Sequence, residues 1–200
     1  LEGLSLRRRK RKRRRGALRE AMPIAAGPNE VWSADFIHDR IVQRGAFKCL
    51  TLIDHCTRET PDLYVARSIR GSDVVAVLER LRLCGRKPKV LVLDNGPEFT
   101  SVALARWGAL HDVRLFFIEP GKPTQNAFIE SFNGKLRNEC LNQHWFATIE
   151  EARIVIEAWR QEYEMRRPHS GLAGRTPKEA AMTFQKPENK DLFVSLSLAQ

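Results

Sequence analysis

The sequence predicts an α/β fold with a mixed five-stranded sheet flanked by helices, and three observations lead to it. Three successive runs rich in Val, Ile, Leu, Phe and Thr are separated by turn-length gaps, which indicates an antiparallel meander. Strand-like and helix-like segments then alternate, as they do where helices connect parallel strands. Two helical segments and a short helix follow the last strand-like run.

The first half of the chain supplies the meander and one helix. Its predicted strands span residues 31–39, 47–54 and 63–68, with Gly45 and Pro61 in the gaps. Ser72 is expected to cap the following helix. The apolar residues of that helix recur at helical spacing, at Val74, Val77, Leu78 and Leu81.

The second half supplies two further strands, at residues 89–93 and 113–118. Gly96-Pro97-Glu98 is expected to open the helix between them, because Pro is tolerated in a first helical turn. Helices are then predicted over residues 124–141 and 149–165. The capping pattern Thr176-Pro177-Lys178-Glu179 predicts one more short helix.

Positive charge is concentrated near the start of the chain. The 200 residues include 34 Lys and Arg against 24 Asp and Glu. Nine of the basic residues are consecutive: Arg7, Arg8, Arg9, Lys10, Arg11, Lys12, Arg13, Arg14 and Arg15. Such a cluster is expected to bind DNA phosphates without reading sequence. A solvated arm and a partner-binding segment are the alternatives.

These changes in composition predict three regions. Residues 1–30 are expected to form a basic arm and linker, residues 31–148 the α/β core, and residues 149–200 a C-terminal helical extension and tail. No apolar run approaches the ~18 residues of a membrane-spanning helix. The four cysteines form no C-x-x-C pair, which indicates a reducing compartment.

Three acidic residues are candidates for catalysis. Asp35 interrupts a strand that should be largely buried, which is costly unless the carboxylate is paired or binds a cation. Asp94 ends a strand just before a turn, where functional groups gather in α/β folds. Glu130 lies on a predicted helix. Taken singly, an Asp before Asn-Gly, such as Asp94, is usually a turn residue, and a helix Glu such as Glu130 is usually solvated.

A helical wheel places Glu130 beside the buried face of its helix. At 100° per residue an apolar arc of about 120° contains Phe128, Ile129, Phe132, Leu136 and Cys140. The adjoining arc, at about 140–200°, contains Asn133, Asn126, Arg137 and Glu130. Carboxylate oxygens suit hard divalent cations such as Mg²⁺, and a metal pair can activate a nucleophile in phosphoryl transfer.

Asp54 also ends a strand. A hairpin between the first two strands, with paired residue numbers summing to about 85, places Asp54 opposite Val31. That position is ~13 Å from Asp35 at ~3.3 Å per residue, which argues against a shared metal role.

Longer motifs resemble a known family. Asp94 and Glu130 are separated by 35 residues, and the surrounding sequences are LDNGPEFTS and PGKPTQNAFIESFNGKLRNECLNQHWF, with RRPHSGLAGRTPKEA nearer the end. Together they resemble the catalytic cores of DDE transposases of the insertion-sequence-3 family, within the retroviral-integrase superfamily. The likeness covers roughly residues 31–181.

The resemblance implies a ribonuclease-H-like core and a polynucleotidyl transferase that cleaves and joins the DNA of an insertion element. It implies that Asp35, Asp94 and Glu130 are the catalytic and metal-binding residues, holding two Mg²⁺ or Mn²⁺ ions. Arg137, seven positions after Glu130, would contact the element's terminal DNA, and Asn126 and Asn133 on the same stripe are further expected DNA contacts.

The same resemblance implies double-stranded DNA as partner, a homodimer or larger assembly, and a bacterial cytoplasm with nucleoid association. It also implies an upstream helix-turn-helix region, so this chain is expected to be a fragment that is inactive alone or needs that region. The competing interpretations are a ribonuclease-like hydrolase of the same fold and a truncated DNA-binding remnant without catalysis.

Overall fold

The computed structural model describes residues 21–42, 45–119 and 123–185. One mixed sheet runs through these residues in the order β3-β2-β1-β4-β5, which confirms the predicted five-stranded sheet. The first three strands pair antiparallel, whereas β1 with β4 and β4 with β5 pair parallel. The strands are β1 (Val31–Ile41), β2 (Gly45–Asp54), β3 (Leu63–Ala66), β4 (Val90–Leu93) and β5 (Arg114–Phe117).

Within these described residues, five α-helices flank the sheet: α1 (Gly71–Leu83), α2 (Val102–Leu110), α3 (Ala127–Glu139), α4 (Ile149–Arg166) and α5 (Pro177–Gln185). The helix expected over residues 124–141 is divided. A 3₁₀ turn, Pro123–Asn126, precedes α3, and a second, Leu141–Gln143, follows it.

The two faces of the sheet are covered by different helices. Alternation along β1 sends Ile37 and Ile41 into a core shared with α3 and α4, and sends Trp32 and Ala34 into a core shared with α1 and α2. The first helical residues of the predicted C-terminal extension, such as Ile149 and Ala152, lie in the same core as α3. The domain boundary at residue 148 stays a prediction.

Helix starts differ from two of the sequence expectations. The α2 helix begins at Val102 and not at Gly96, because the Ser101 hydroxyl accepts a hydrogen bond from Leu104 N and caps it. At α1 the cap position is Arg70, whose N–H donates to the Asp73 carboxylate at 2.6 Å, so the expected Ser72 cap is wrong. The reciprocal capping bonds of Thr176 and Glu179 are confirmed.

The basic run at residues 7–15 lies outside the described part of the chain, so its contact with DNA stays a prediction. Among the residues that the structure describes, no helix is long and apolar enough to cross a membrane.

Candidate active site

The parallel pairing of β1 and β4 places Asp35 and Asp94 at corresponding positions on neighbouring strands. Val31 pairs with Val90 and Ser33 with Val92, so each residue of β4 stands opposite the β1 residue 59 positions before it. Continued by two residues, this register sets Asp94 beside Asp35. Neighbouring strands lie about 4.8 Å apart, so the two carboxylates share one edge of the site.

The Asp35 carboxylate is half-buried and fixed by two donors. Its Oδ1 accepts from Phe36 N at 2.7 Å, and its Oδ2 accepts from Asn133 Nδ2 at 2.9 Å. Burial raises the pKa of Asp35, and the negative charges of Asp94 and Glu130 raise it further, against the lowering effect of the two hydrogen bonds. The negative charges of both other predicted triad members therefore act on the Asp35 carboxylate.

Asp94 is held by the turn that follows β4. Its Oδ1 accepts from Gly96 N at 2.8 Å, and the Asn95 amide donates to Ile118 O at 2.9 Å, which ties the turn to the end of β5. A Cβ on Gly96 would lie 2.9 Å from Asp94 Oδ1. Glycine at this position lets the backbone close against the carboxylate.

A pair that the sequence did not predict ties this turn to the hairpin. Lys48 Nζ on β2 donates to Glu98 Oε1 at 2.5 Å, and beside it the rings of Phe36 and Phe99 stack with centroids 4.8 Å apart. The Lys48 hydrogen bond is the main cause that lowers the Glu98 pKa. A lysine inside the otherwise apolar run of β2 is the signal that could have indicated this contact.

Glu130 is exposed in the first turns of α3. The helix buries Ile129, Phe132 and Leu136 against the sheet, as the wheel predicts. Phe128 was expected on that buried face, and this is wrong: its side chain is 40% exposed. Ile129 occupies the inward direction at this turn, and Phe128 lies at the margin of the apolar stripe.

The predicted DNA contacts on α3 have different surroundings. Arg137 is exposed, and its Nη2 donates to His38 O at 3.2 Å across to β1. Asn126 occupies the cap position before α3 and is 5% exposed. Asn133 bonds Asp35, so it lies within the site. Their DNA contacts stay predictions.

Asp54 is a structural carboxylate. It accepts hydrogen bonds from Asn29 N at 2.6 Å, from the Trp32 indole at 3.0 Å, and from the amides of Cys56 at 2.7 Å and Thr57 at 3.1 Å. It stands opposite Trp32 and not Val31, one residue from the predicted hairpin register. Four donors on one buried carboxylate explain why its charge is tolerated.

The donor set at Asp35, Asp94 and Glu130 is all oxygen, which is the chemistry that Mg²⁺ and Mn²⁺ prefer. In the described residues, however, no group of three or more His, Cys, Asp or Glu side chains is close enough to form a metal-binding cluster. The carboxylates influence one another electrostatically without forming such a cluster.

A mixed five-stranded sheet with two antiparallel and two parallel strand pairs, covered by helices on both faces, defines a ribonuclease-H-like fold. Two integrase core domain families match the chain, over residues 25–123 and 111–177. The chain belongs to the integrase core family. This confirms the resemblance drawn from the acidic motifs.

Proteins of bacterial insertion elements are among its relatives. The chain is 48% identical over 181 residues to an uncharacterized 31.7 kDa protein of insertion element IS407 from Burkholderia multivorans, a match covering 90% of this chain and 65% of that protein. It is 29% identical over 164 residues to the transposase for insertion sequence element IS904 from Lactococcus lactis, covering 78% and 62%. The chain thus spans somewhat less than two thirds of these relatives.

A solved structure shows the same fold. The catalytic core domain of HTLV-2 integrase, in complex with magnesium and in dimeric form, superposes with a TM-score of 0.59 at 18% sequence identity. The match covers 78% of this chain and 97% of that core domain. At this identity the likeness concerns the fold.

Proposed function

We propose that this chain is the catalytic core of a transposase that cleaves and joins DNA strands at the ends of an insertion element. The observation that carries the proposal is the β1–β4 register, which sets Asp35 level with Asp94 while Asn133 ties α3, the helix bearing Glu130, to Asp35. Membership of the integrase core family and the insertion-element relatives support it.

We assign the binding of divalent metal, Mg²⁺ or Mn²⁺, to Asp35, Asp94 and Glu130. Two ions bound there would activate an attacking hydroxyl and stabilise the leaving oxygen in an in-line displacement at phosphorus. Asp35 Oδ1 and Oδ2 each accept one hydrogen bond, and a carboxylate oxygen has a second lone pair for a cation. Burial raises the pKa of Asp35 most, and the negative charges of Asp94 and Glu130 add to the rise; a bound cation would offset these charges.

The side chains around the acids have separate tasks. Asn133 orients Asp35, the Gly96 amide orients Asp94, and the Lys48–Glu98 pair braces the loop between β4 and α2. Arg137 lies on the exposed side of α3, where its charge suits a DNA phosphate near the scissile bond. The basic run at residues 7–15 would add sequence-independent contacts to the duplex.

We further propose that the active form is a homodimer or larger assembly holding two element ends, located with the bacterial nucleoid. The HTLV-2 integrase core in dimeric form is consistent with pairing of such cores.

The test is joining of a labelled element end to plasmid DNA with Mg²⁺ or Mn²⁺, using the full 200-residue chain and, in parallel, the chain extended by its upstream coding region. We expect covalent joining that depends on the metal and is lost in Glu130→Gln. Release of a cleaved strand without joining would favour a ribonuclease-like hydrolase. DNA binding without cleavage in both proteins would favour a non-catalytic remnant.

A further inference from the structure

The loop after β2 closes into a tight turn around Asp54. The Asp54 carboxylate accepts from the amides of Cys56 and Thr57, and Arg58 N donates to Asp54 O at 3.0 Å. Arg58 itself has a φ of +59°, in the left-handed region that non-glycine residues seldom adopt. The turn therefore holds Arg58 in one specific orientation.

This orientation places the Arg58 guanidinium over the ring of Phe128. The guanidinium carbon lies 3.7 Å from the ring centroid, within the range of a cation–π contact. Arg58 Nη1 also donates to His55 O at 2.5 Å, and the His55 ring lies 4.5 Å from the Phe128 ring. His55 is anchored in turn by a 2.6 Å hydrogen bond between Nε2 and Ser33 Oγ.

Phe128 and Glu130 lie at opposite margins of the apolar stripe of α3. They are two residues apart, so their side chains are about 200° apart around the helix axis. The buried residues Ile129 and Phe132 lie between these margins. A rotation of α3 that moves Phe128 away from Arg58 must also turn Glu130 relative to Asp35.

We propose that Arg58 is a positioning residue for Glu130, acting through its stack on Phe128. Asn133 holds α3 at the Glu130 side by its bond to Asp35, and Arg58 holds the other side, so the helix is fixed at both margins. Two contacts on opposite sides of α3 prevent rotation of the helix about its axis, whereas one contact alone would allow it. The inference rests on the proposed catalytic role of Glu130.

Its first test requires no activity. Hydrogen exchange of amides 127–131, followed by mass spectrometry, is compared in the wild-type chain, Arg58→Ala and Arg58→Lys. Arg82→Ala is the matched control, since Arg82 bonds Glu79 on α1, on the other face of the sheet. We expect about tenfold faster exchange in Arg58→Ala, a smaller rise in Arg58→Lys, and none in the control.

The second test uses joining kinetics and metal binding. Arg58→Ala should lower kcat for joining about tenfold with little change in KM for DNA, and Arg58→Lys should recover part of the loss. The metal affinity, measured with Mn²⁺ by electron paramagnetic resonance, should fall in Arg58→Ala. In a Glu130→Gln background the same change should lower it no further.

Three results would overturn the inference. Unchanged exchange at residues 127–131 in both Arg58 variants would show that no clamp exists. An equal loss of metal affinity with and without Glu130 would show that Arg58 acts elsewhere, and a change in KM alone would indicate a DNA contact.

Should Arg58→Ala fail to fold, as judged by circular dichroism, Arg58→Lys decides each point. Failure of the wild-type chain to join DNA would instead contradict the proposed function.

Discussion

Asp35 has a negative charge that the folded chain compensates only in part. Burial and the nearby Asp94 and Glu130 raise its pKa, so the stability that its protonated form provides is lost as pH rises through that raised value. We therefore expect Asp35→Asn to raise the unfolding midpoint of the metal-free protein at pH 7.5, as measured by thermal scanning, while joining falls at least about a hundredfold.

The surroundings of Asp35 can accept an amide in its place. The buried Asn133 Oδ1 has no hydrogen-bond partner among the described residues, so a flipped Asn133 amide could accept from the new side chain. A lower midpoint in Asp35→Asn would mean that hydrogen bonding to the carboxylate outweighs charge repulsion. Joining at the wild-type rate would remove Asp35 from the catalytic residues.

Arg137 is the second residue whose role is testable alone. It lies two helical turns from Glu130, about 10.5 Å along α3 at ~1.5 Å per residue. Its Glu139 neighbour pairs with Arg167 instead, and Arg137 donates to a backbone carbonyl of β1. Arg137→Ala should cut joining of specific ends about tenfold or more, since a lost charged contact costs about 1–3 kcal/mol.

The same change should cut metal-dependent nicking of unrelated DNA much less. Full rescue by Arg137→Lys would indicate a phosphate contact, which needs only the charge, whereas failure of Lys would indicate a base edge or stacking. Full activity of Arg137→Ala would exclude the role.

The sequence indicates the three candidate acids, whose catalytic role stays a prediction, but it does not indicate the residues that hold them in place. Asp35 stands out because it interrupts a strand that should be buried, whereas Asp94 and Glu130 were singled out by their spacing and by the longer motifs around them. The contacts of Lys48 with Glu98 and of Arg58 with Phe128 join residues 50 and 70 positions apart, so no local pattern reveals which residues pair. Phe128 was misplaced because periodicity gives the direction of a side chain and not the width of the surface that covers it.

Among the elements, the strands and their order along the chain were predictable because β-branched runs and turn residues alternate clearly. Helix starts were not, since several residues near each start can cap and tertiary contacts choose between them. Gly96-Pro97-Glu98 has the composition of a helix start, yet the chain uses these residues to close on Asp94 and to reach Lys48. These contacts of the turn outweigh the local preference of Gly96-Pro97-Glu98 for starting a helix.

The junction of α1 with α2 depends on Gly71. A Cβ at this position would lie 2.1 Å from Ser101 Oγ and 2.8 Å from Glu98 O. Gly71→Ala should therefore push α1 away from the loop that contains Glu98 and destabilise the fold by about 1–3 kcal/mol in urea unfolding. Gly134→Ala is the control, because a Cβ there meets no atom within 4 Å, and in a helix interior it should stabilise by about 0.5–1 kcal/mol.

Equal stabilities for the two alanine variants would show that α1 and α2 can separate at little cost. In that case joining activity should also survive Gly71→Ala, because the brace between Lys48 and Glu98 would not depend on this junction.

The molecule as a whole is expected to lose stability between about pH 4.5 and about pH 7 because of one buried acid that joins α4 to the loop before β3. Glu164 is 8% exposed, and its Oε1 accepts from Thr60 N at 2.5 Å. Burial raises its pKa to about 7; Glu59 adds to the rise, while the Thr60 bond, Arg160 and Arg86 act against it.

Because the folded state binds this proton more tightly than the unfolded state, stability falls as pH rises from about 4.5 to about 7. Glu164→Gln removes this proton linkage and should be more stable than wild type at pH 8, by about 3 kcal/mol at most, with the difference vanishing below about pH 4. Urea unfolding at a series of pH values measures it, with Glu162→Gln as the exposed control on the same helix.

The buried histidines act in the opposite direction without obscuring this result. Burial lowers the pKa of His55 to about 3 and of His169 to about 4, so the stability that their neutral forms provide is lost as pH falls below their ordinary value. Wild type and Glu164→Gln share that loss, and it cancels in their difference. A variant less stable than wild type at every pH would show that the Thr60 bond to a charged carboxylate outweighs the cost of burying it.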